Sequence, residues 1–152
     1  MYKISLQLRG FTLIEILVVI SMIALISGFI ITGFQNFASF QQYNQAVGDV
    51  KFALNQSRVE ARSAVGDEAH GVKISIDRIT KFYGSTYSAI DPNNEVIIYK
   101  LVTLQSNLTG GADEIIFSKL SGIPSATGTI MVSGTKFSAS TTIQISDSGV
   151  IQ

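Results

Sequence analysis

A single long apolar segment constrains this chain more than any other feature of its sequence. Residues 11–34 carry only one charge, at Glu15. At about 1.5 Å per residue, a helix of that length spans a hydrocarbon core about 30 Å thick. The basic residues Lys3 and Arg9 precede the segment, and no basic residue follows it until Lys51. The sequence therefore predicts a single-pass membrane helix with its N-terminus in the cytoplasm and the remaining chain outside.

Composition limits the classes of site that the rest of the chain can hold. The 152 residues have room for one compact domain and a helical extension. Only 14% of residues are charged and 46% are hydrophobic, so we expect part of the chain to lie in lipid or in a protein interface. The absence of cysteine excludes disulfides, thiol catalysis and thiolate metal sites. Histidine occurs once, at His70, so a metal site would need mostly carboxylate ligands; no compact His/Asp/Glu cluster is visible in the sequence, and no metal site is predicted.

A cleaved secretory signal and a plain signal anchor are two ordinary explanations of the apolar segment. A cleaved secretory signal has a shorter apolar run followed by a small-residue cleavage site, and Phe37-Ala38-Ser39 is the nearest small-residue point here. A plain signal anchor needs only the apolar helix and the basic residues before it. The residues at the start of the segment distinguish these alternatives.

Those residues match a processing signal. The string runs Arg9-Gly10-Phe11-Thr12-Leu13-Ile14-Glu15 and stands directly before the apolar helix. It resembles the prepilin (class III) signal of type IV pilin-like proteins. The resemblance implies that residues 1–10 are a leader, that prepilin peptidase cuts between Gly10 and Phe11, and that Phe11 becomes an N-methylated terminus. It also implies that Glu15 is the acidic residue that acts in assembly.

Elementary chemistry also explains why these residue types would stand at positions 10, 11 and 15, independently of the resemblance. Gly10 has no side chain, so a protease can approach the backbone closely. Cleavage before Phe11 creates an ammonium group, and Glu15 lies four residues later on the same helix face. A carboxylate in the apolar layer costs about 2.5 to 3.5 kcal/mol on insertion scales, so it needs a partner. That partner is the chain's own ammonium, a neighbouring subunit's ammonium, or headgroups and water. The resemblance favours the intersubunit pair.

Beyond the membrane segment the pattern becomes that of an amphipathic helix over residues 35–66. Apolar residues recur at helical spacing, at Phe37, Phe40, Val47, Val50, Leu54, Ala61 and Val65. No proline occurs before Pro92, so one continuous helix from about Phe11 to Val65 is predicted, with Gly66 as its stop.

Residues 67–152 have the pattern of β-structure. Val72, Ile74 and Ile76 alternate with polar residues and predict a half-buried strand. Turn-forming residues separate further strand-like segments, at 82–87, 96–99, 114–117, 129–132 and 141–146. The fold class predicted is α+β, a long N-terminal transmembrane and amphipathic helix packed against a C-terminal antiparallel β-sheet domain.

The C-terminal third carries a second, looser resemblance. Its hydrophobic spacing and glycines, at 115–117, 122–124, 128–132, 143–146 and 149, are similar to the GspH/FimT family of minor pseudopilins and minor pilins. The resemblance implies a non-enzymatic structural subunit of a type II secretion pseudopilus or type IV pilus, without a cofactor. The implied location is the bacterial inner membrane and then the filament. The implied partners are prepilin peptidase, other pilins and pseudopilins, the inner-membrane assembly platform, and the lipid bilayer before assembly.

No catalytic motif is visible, and two alternative functions remain open. There is no nucleophile elbow, and His70 near a predicted helix end is expected to be solvated at the surface. One alternative is an unrelated signal-anchored receptor or enzyme domain, which failure of cleavage by prepilin peptidase would support. The other is a DNA-binding minor pilin of a competence pilus. Over residues 35–152, nine basic residues face ten acidic ones, a net charge of −1, so nucleic acid is not an expected partner.

Overall fold

The computed structural model describes residues 10–136 and 138–152, apart from the side chains of residues 29–35. Residues 1–9 of the predicted leader, with Lys3 and Arg9, lie outside this described part. The chain forms two compact units, one ending at Ala38 and the other beginning at Ser39. The fold class is α+β, with a helix packed on antiparallel sheets, as the sequence predicted.

One helix, α1, covers Leu13–Arg62. It ends four residues before the predicted stop at Gly66, because the backbone turns left-handed at Ala64, where φ is 50°. The Ala61 carbonyl accepts hydrogen bonds from Ala64 N at 3.1 Å and from Leu120 N at 2.9 Å. One of the carbonyl groups at the C-terminal end of α1, which lack partners within a helix, is paired in this way. Across the described part of the chain, no helix combines the length and the apolar character that crossing a membrane requires.

In the second unit, α1 buries one face whose members recur at helical spacing. The fully or nearly buried side chains are Tyr43, Ala46, Val50, Ala53, Leu54, Ser57 and Ala61. Three of the residues predicted for this face, Val50, Leu54 and Ala61, are confirmed there. Phe40 and Val65 were predicted for the same face, but they are 48% and 47% exposed because they lie at the two ends of the buried stretch.

Seven strands form two antiparallel sheets. Their bounds are β1 His70–Ser75, β2 Arg78–Tyr83, β3 Glu95–Ile98, β4 Val102–Leu108, β5 Glu114–Phe117, β6 Gly128–Gly134 and β7 Ser140–Ile145. The first sheet has the order β3-β2-β1-β5 and the second the order β4-β6-β7. A main-chain hydrogen bond of 2.8 Å from Leu104 N to Ile76 O links the connection after β1 to β4.

Three details of the predicted β-structure were wrong. The sequence indicated one sheet, but strand partners divide into two. The strand predicted at 82–87 covers Arg78–Tyr83 instead, because Ser75 of β1 pairs with Arg78 across a tight two-residue connection. Ile76 lies in that connection and is 71% exposed instead of pointing inward.

The core lies between α1 and both sheets. Its strand members include Val72, Ile79, Ile115, Ile130 and Ile143, each at most 1% exposed. The phenolic oxygen of Tyr43 on α1 is 2.6 Å from Thr141 Oγ1 on β7, a polar contact that ties the helix to the second sheet. These contacts give the second unit a hydrophobic core of its own.

Candidate functional site

The first turn of α1 begins immediately after the predicted cleavage point. Thr12 precedes the helix and is its N-cap: its side-chain oxygen accepts a hydrogen bond from Glu15 N at 3.3 Å. The Thr12 carbonyl accepts from Glu15 N at 3.1 Å and from Ile16 N at 3.3 Å. Sequence reasoning missed this role for Thr12, although Thr-x-x-Glu is the capping-box pattern that could have revealed it.

Gly10 and Phe11 lie ahead of that cap and are both exposed. Phe11 is 79% exposed. A Cβ atom added at Gly10 would have no neighbouring atom within 4 Å. The described residues therefore impose no packing requirement for glycine at position 10. If glycine is required there, the requirement comes from a molecule that acts on the chain.

Glu15 lies in the first turn of α1 and is exposed. Its main-chain N–H is used by the Thr12 cap, while its carboxylate has no hydrogen-bond or ion-pair partner among the described residues. Phe11 is an internal residue of the uncut chain and carries no ammonium there. The predicted pair between the Phe11 ammonium and Glu15 therefore stays a prediction.

Apart from Glu15, the exposed surface from Phe11 to Ile26 is apolar on every side. Twelve large hydrophobic side chains between residues 11 and 26 are 43% to 83% exposed, and they are Phe11, Leu13, Ile14, Ile16, Leu17, Val18, Val19, Ile20, Met22, Ile23, Leu25 and Ile26. Consecutive residues point in different directions around a helix, so such a run has no polar face. An apolar surface of this kind marks contact with lipid or with other protein.

The two serines within this run are satisfied inside the helix. Ser21 Oγ donates to the Leu17 carbonyl at 2.8 Å, and Ser27 Oγ donates to the Ile23 carbonyl at 2.7 Å. Such bonds to the carbonyl four residues earlier leave the hydroxyl without need of water. The polar atoms of these serines are thus compatible with an apolar environment.

A separate polar cluster lies in the second unit between α1 and the first sheet. Glu60 Oε2 on α1 is 3.3 Å from His70 Nδ1 on β1, and Glu60 Oε1 is 3.5 Å from Lys81 Nζ on β2. Lys81 Nζ is also 3.3 Å from Glu95 Oε2, and Gln56 donates to Glu60 Oε1 at 2.7 Å. Four elements of the fold therefore meet at one network of charges.

The predicted solvated position of His70 is wrong, since the residue is only 1% exposed. Its Nε2 lies 2.9 Å from the Val65 carbonyl, which can only accept, so Nε2 carries a proton. Its Nδ1 faces the Glu60 carboxylate. Neither partner is a hydroxyl or a thiol, so these two contacts do not form a Ser-His or Cys-His arrangement.

Among the described residues, no group of three or more His, Asp and Glu side chains is arranged to hold a metal ion. Comparison of the chain with known protein families, with curated proteins and with solved structures finds no match. Function is therefore inferred from the residues at the start of α1 and from the apolar surface that follows them.

Proposed function

We propose that this chain is a membrane-anchored filament subunit without catalytic activity, a minor pseudopilin or minor pilin of a type II secretion pseudopilus or a type IV pilus. The observation that carries the proposal is the capped helix that starts two residues after Gly10-Phe11 and is apolar all round. A processing signal and a helix that needs an apolar partner on every side occur together at one point of the chain.

Burial energetics support an apolar destination for this helix. Fully burying a large aliphatic or aromatic side chain is worth about 1.5 to 3 kcal/mol relative to leaving it exposed. Twelve such side chains are exposed between Phe11 and Ile26. Burying all twelve would together be worth more than the whole stability of a typical domain, which is about 5 to 15 kcal/mol, so lipid or other protein is strongly favoured over water.

Lipid covers the helix before assembly, and neighbouring helices cover it afterwards. The proposed span is residues 11–34, and its last quarter, residues 29–34, is assigned from the sequence. On this proposal the N-terminus is cytoplasmic, and the β-rich unit lies outside the bacterial inner membrane. The inner-membrane assembly platform then extracts the subunit into the filament.

Glu15 serves as the register-setting residue of this assembly. Cleavage after Gly10 leaves the Phe11 ammonium one residue before the Thr12 cap. The Glu15 carboxylate is exposed in the first turn and can reach the ammonium of a neighbouring subunit. An unpaired charge in the apolar filament core is costly, so a subunit out of register is disfavoured.

Processing at Gly10 is the direct test of the proposal. Gly10→Val, expressed with a prepilin peptidase, should keep its leader and fail to enter filaments, while membrane insertion continues. A matched control is Gly48→Ala, which changes another exposed glycine with open space around it. Leader length is read by immunoblot and filament entry by shearing and sedimentation. Since the described residues leave room for a side chain at position 10, the variant should fold normally, and its leader length reports on recognition by the peptidase. Normal removal of the leader from Gly10→Val would contradict the proposal.

A further inference from the structure

A cleft of about 350 Å³ lies in the second unit, between α1 and the end of β3. The helix contributes one wall, and β3 with its connection to β4 contributes the other. The lining residues are Gln42, Gln45, Ala46 and Asp49 on the helix, and residues 97–102 opposite. None of them belongs to the predicted processing and assembly segment.

Two polar side chains of the cleft lack partners among the described residues. The Tyr99 hydroxyl is buried and makes no hydrogen bond. Burial, with a further contribution from the Asp49 carboxylate, raises the pKa of Tyr99 well above its usual range. Burial also raises the pKa of Asp49, whose carboxylate has no hydrogen bond or ion pair within the described chain. A hydroxyl and a carboxylate without partners favour a ligand that supplies hydrogen-bond donors and positive charge.

The strand beside the cleft, β3, is an edge strand. Tyr99 N donates a main-chain hydrogen bond to Asp77 O at 2.7 Å. In an antiparallel pair, hydrogen-bonded and non-hydrogen-bonded residue pairs alternate along the strands. The main-chain N–H and C=O groups of Ile97 therefore face β2, while those of Val96 and Ile98 face outward. Exposed edges of this kind accept an additional strand.

Of the other outer strands, β4 accepts a contact from the connection after β1 through Leu104 N and Ile76 O, and β5 and β7 carry chain segments of their own. Phe117 at the end of β5 forms a bridge with Pro124, and Ile145 at the end of β7 forms one with Ile151. Gln144 on β7 also exchanges main-chain hydrogen bonds of 3.0 and 3.1 Å with Gln152. The edge at β3 thus differs from these edges in the part of the chain that the structure describes.

We propose that the β3 edge binds an extended segment of a partner protein as an added strand, and that an arginine or lysine side chain of this segment enters the cleft to contact Asp49 and Tyr99. Cross-strand neighbours share a face of the sheet. Ile97 and Tyr99 lie two residues apart and so share a face, and both line the cleft. A residue of the added strand placed opposite Ile97 lies on this same face, beside the Tyr99 side of the cleft.

Charge selects a basic side chain over an acidic one. Asp49 is the acidic residue of the lining, and Lys100 is the basic one. Lys100 is exposed, so its charge is screened by solvent, whereas Asp49 is partly buried. Main-chain pairing supplies affinity for any extended segment, and the cleft supplies the preference for the basic residue. This function goes beyond filament assembly and does not depend on cleavage at Gly10.

The test titrates the full chain, in neutral detergent micelles, with an acetylated and amidated Thr-Val-Arg-Val-Thr peptide. The same peptide with Glu in place of Arg is the matched probe. We expect binding of the arginine peptide at concentrations of about 1 mM or below and at least tenfold weaker binding of the glutamate peptide, roughly the worth of one charge-assisted contact. Amide exchange at Val96 and Ile98 should slow when the arginine peptide is added.

Substitutions of residues that line the cleft test whether the peptide binds there. Asp49→Asn should weaken the arginine peptide about tenfold and Tyr99→Phe several-fold, while Asp147→Asn, which removes an exposed carboxylate elsewhere, should leave binding unchanged. Lys100→Gln should strengthen it. The proposal is overturned by equal binding of both peptides, by loss of affinity in Lys100→Gln, by full affinity in Asp49→Asn, or by unchanged amide exchange at the β3 edge. Circular dichroism of each variant separates lost binding from lost folding.

Discussion

Thr12 and Glu15 lie three residues apart at the start of α1, and the structure separates their roles. Thr12 holds the first turn through its side-chain oxygen, and only the main-chain N–H of Glu15 is needed for that contact. The Glu15 carboxylate contributes nothing to it. A substitution that removes the carboxylate should therefore leave the helix start intact.

This separation gives a prediction for Glu15→Leu. Membrane insertion should be kept or improved, because an apolar residue replaces a carboxylate that costs about 2.5 to 3.5 kcal/mol on insertion scales. Incorporation into filaments beside wild-type subunits should fall, because the partner of the Phe11 ammonium is lost. Membrane flotation measures the first quantity, and the subunit content of sheared filaments measures the second. If the variant enters filaments as well as the wild type does, Glu15 has no part in register.

His70 gives a prediction about stability. In His70→Leu, the Val65 carbonyl loses its hydrogen bond and Glu60 Oε2 loses its ion-pair contact. An unpaired polar group costs about 1 to 3 kcal/mol, so the free energy of unfolding should fall by that amount. Urea unfolding of the full chain in mild detergent, followed by near-ultraviolet circular dichroism, measures it.

A double variant checks that the cause is the pair. The losses in Glu60→Gln and His70→Leu should not add, because the two side chains are in contact. A stability of His70→Leu within about 0.5 kcal/mol of the wild type, the range of ordinary surface changes, would show that the cluster is energetically neutral.

At the scale of elements, alanine substitutions at Gly48 and Gly71 are predicted to have opposite effects on the stability of the chain. Gly48 lies in α1 with open space around its Cα, so Gly48→Ala should stabilise the chain by about 0.5 to 1 kcal/mol through better helix propensity. Gly71 on β1 lies under the ring of Phe82, and an added Cβ would overlap that ring. Gly71→Ala should therefore destabilise the chain by about 1 to 3 kcal/mol. Thermal unfolding of both variants provides the comparison, and a shift in the same direction for both would contradict this account.

Sequence patterns predicted elements well where periodicity was strong. The segment 114–117 matches β5, and 129–132 and 141–146 fall on β6 and β7. The strand β4 was missed, although Val102, Leu104 and Leu108 are buried and alternate with polar residues. The alternation of apolar and polar residues could have predicted this strand, but Ser106 occupies a position at which the alternation requires an apolar residue.

Other features could not be read from the pattern because tertiary contacts create them. Strand partners are chosen across long sequence separations, so the division into two sheets has no local signature. Tyr43, Ala46 and Ser57 belong to the buried face of α1, yet small and polar residues do not stand out in a hydrophobic period. The burial of His70 likewise depends on Glu60 and Lys81, which other elements supply.

At the scale of the whole molecule, the two units differ in what they expose. Residues 11–26 expose apolar side chains on all sides, whereas the unit from Ser39 onward has its own core and a nearly neutral surface. From position 35 to the end the net charge is −1, which gives little attraction to phosphate. This division supports a subunit that assembles through its helix and meets protein partners through its β-rich unit.

The most direct test of the central claim is the intact mass of the protein extracted from membranes of a cell that makes prepilin peptidase. The account predicts one mature species that lacks residues 1–10, begins at Phe11 and carries one additional methyl group on that terminus. Fragmentation of the N-terminal peptide places the methyl group. A chain that still begins at Met1, in cells where other prepilins are trimmed, would contradict the account.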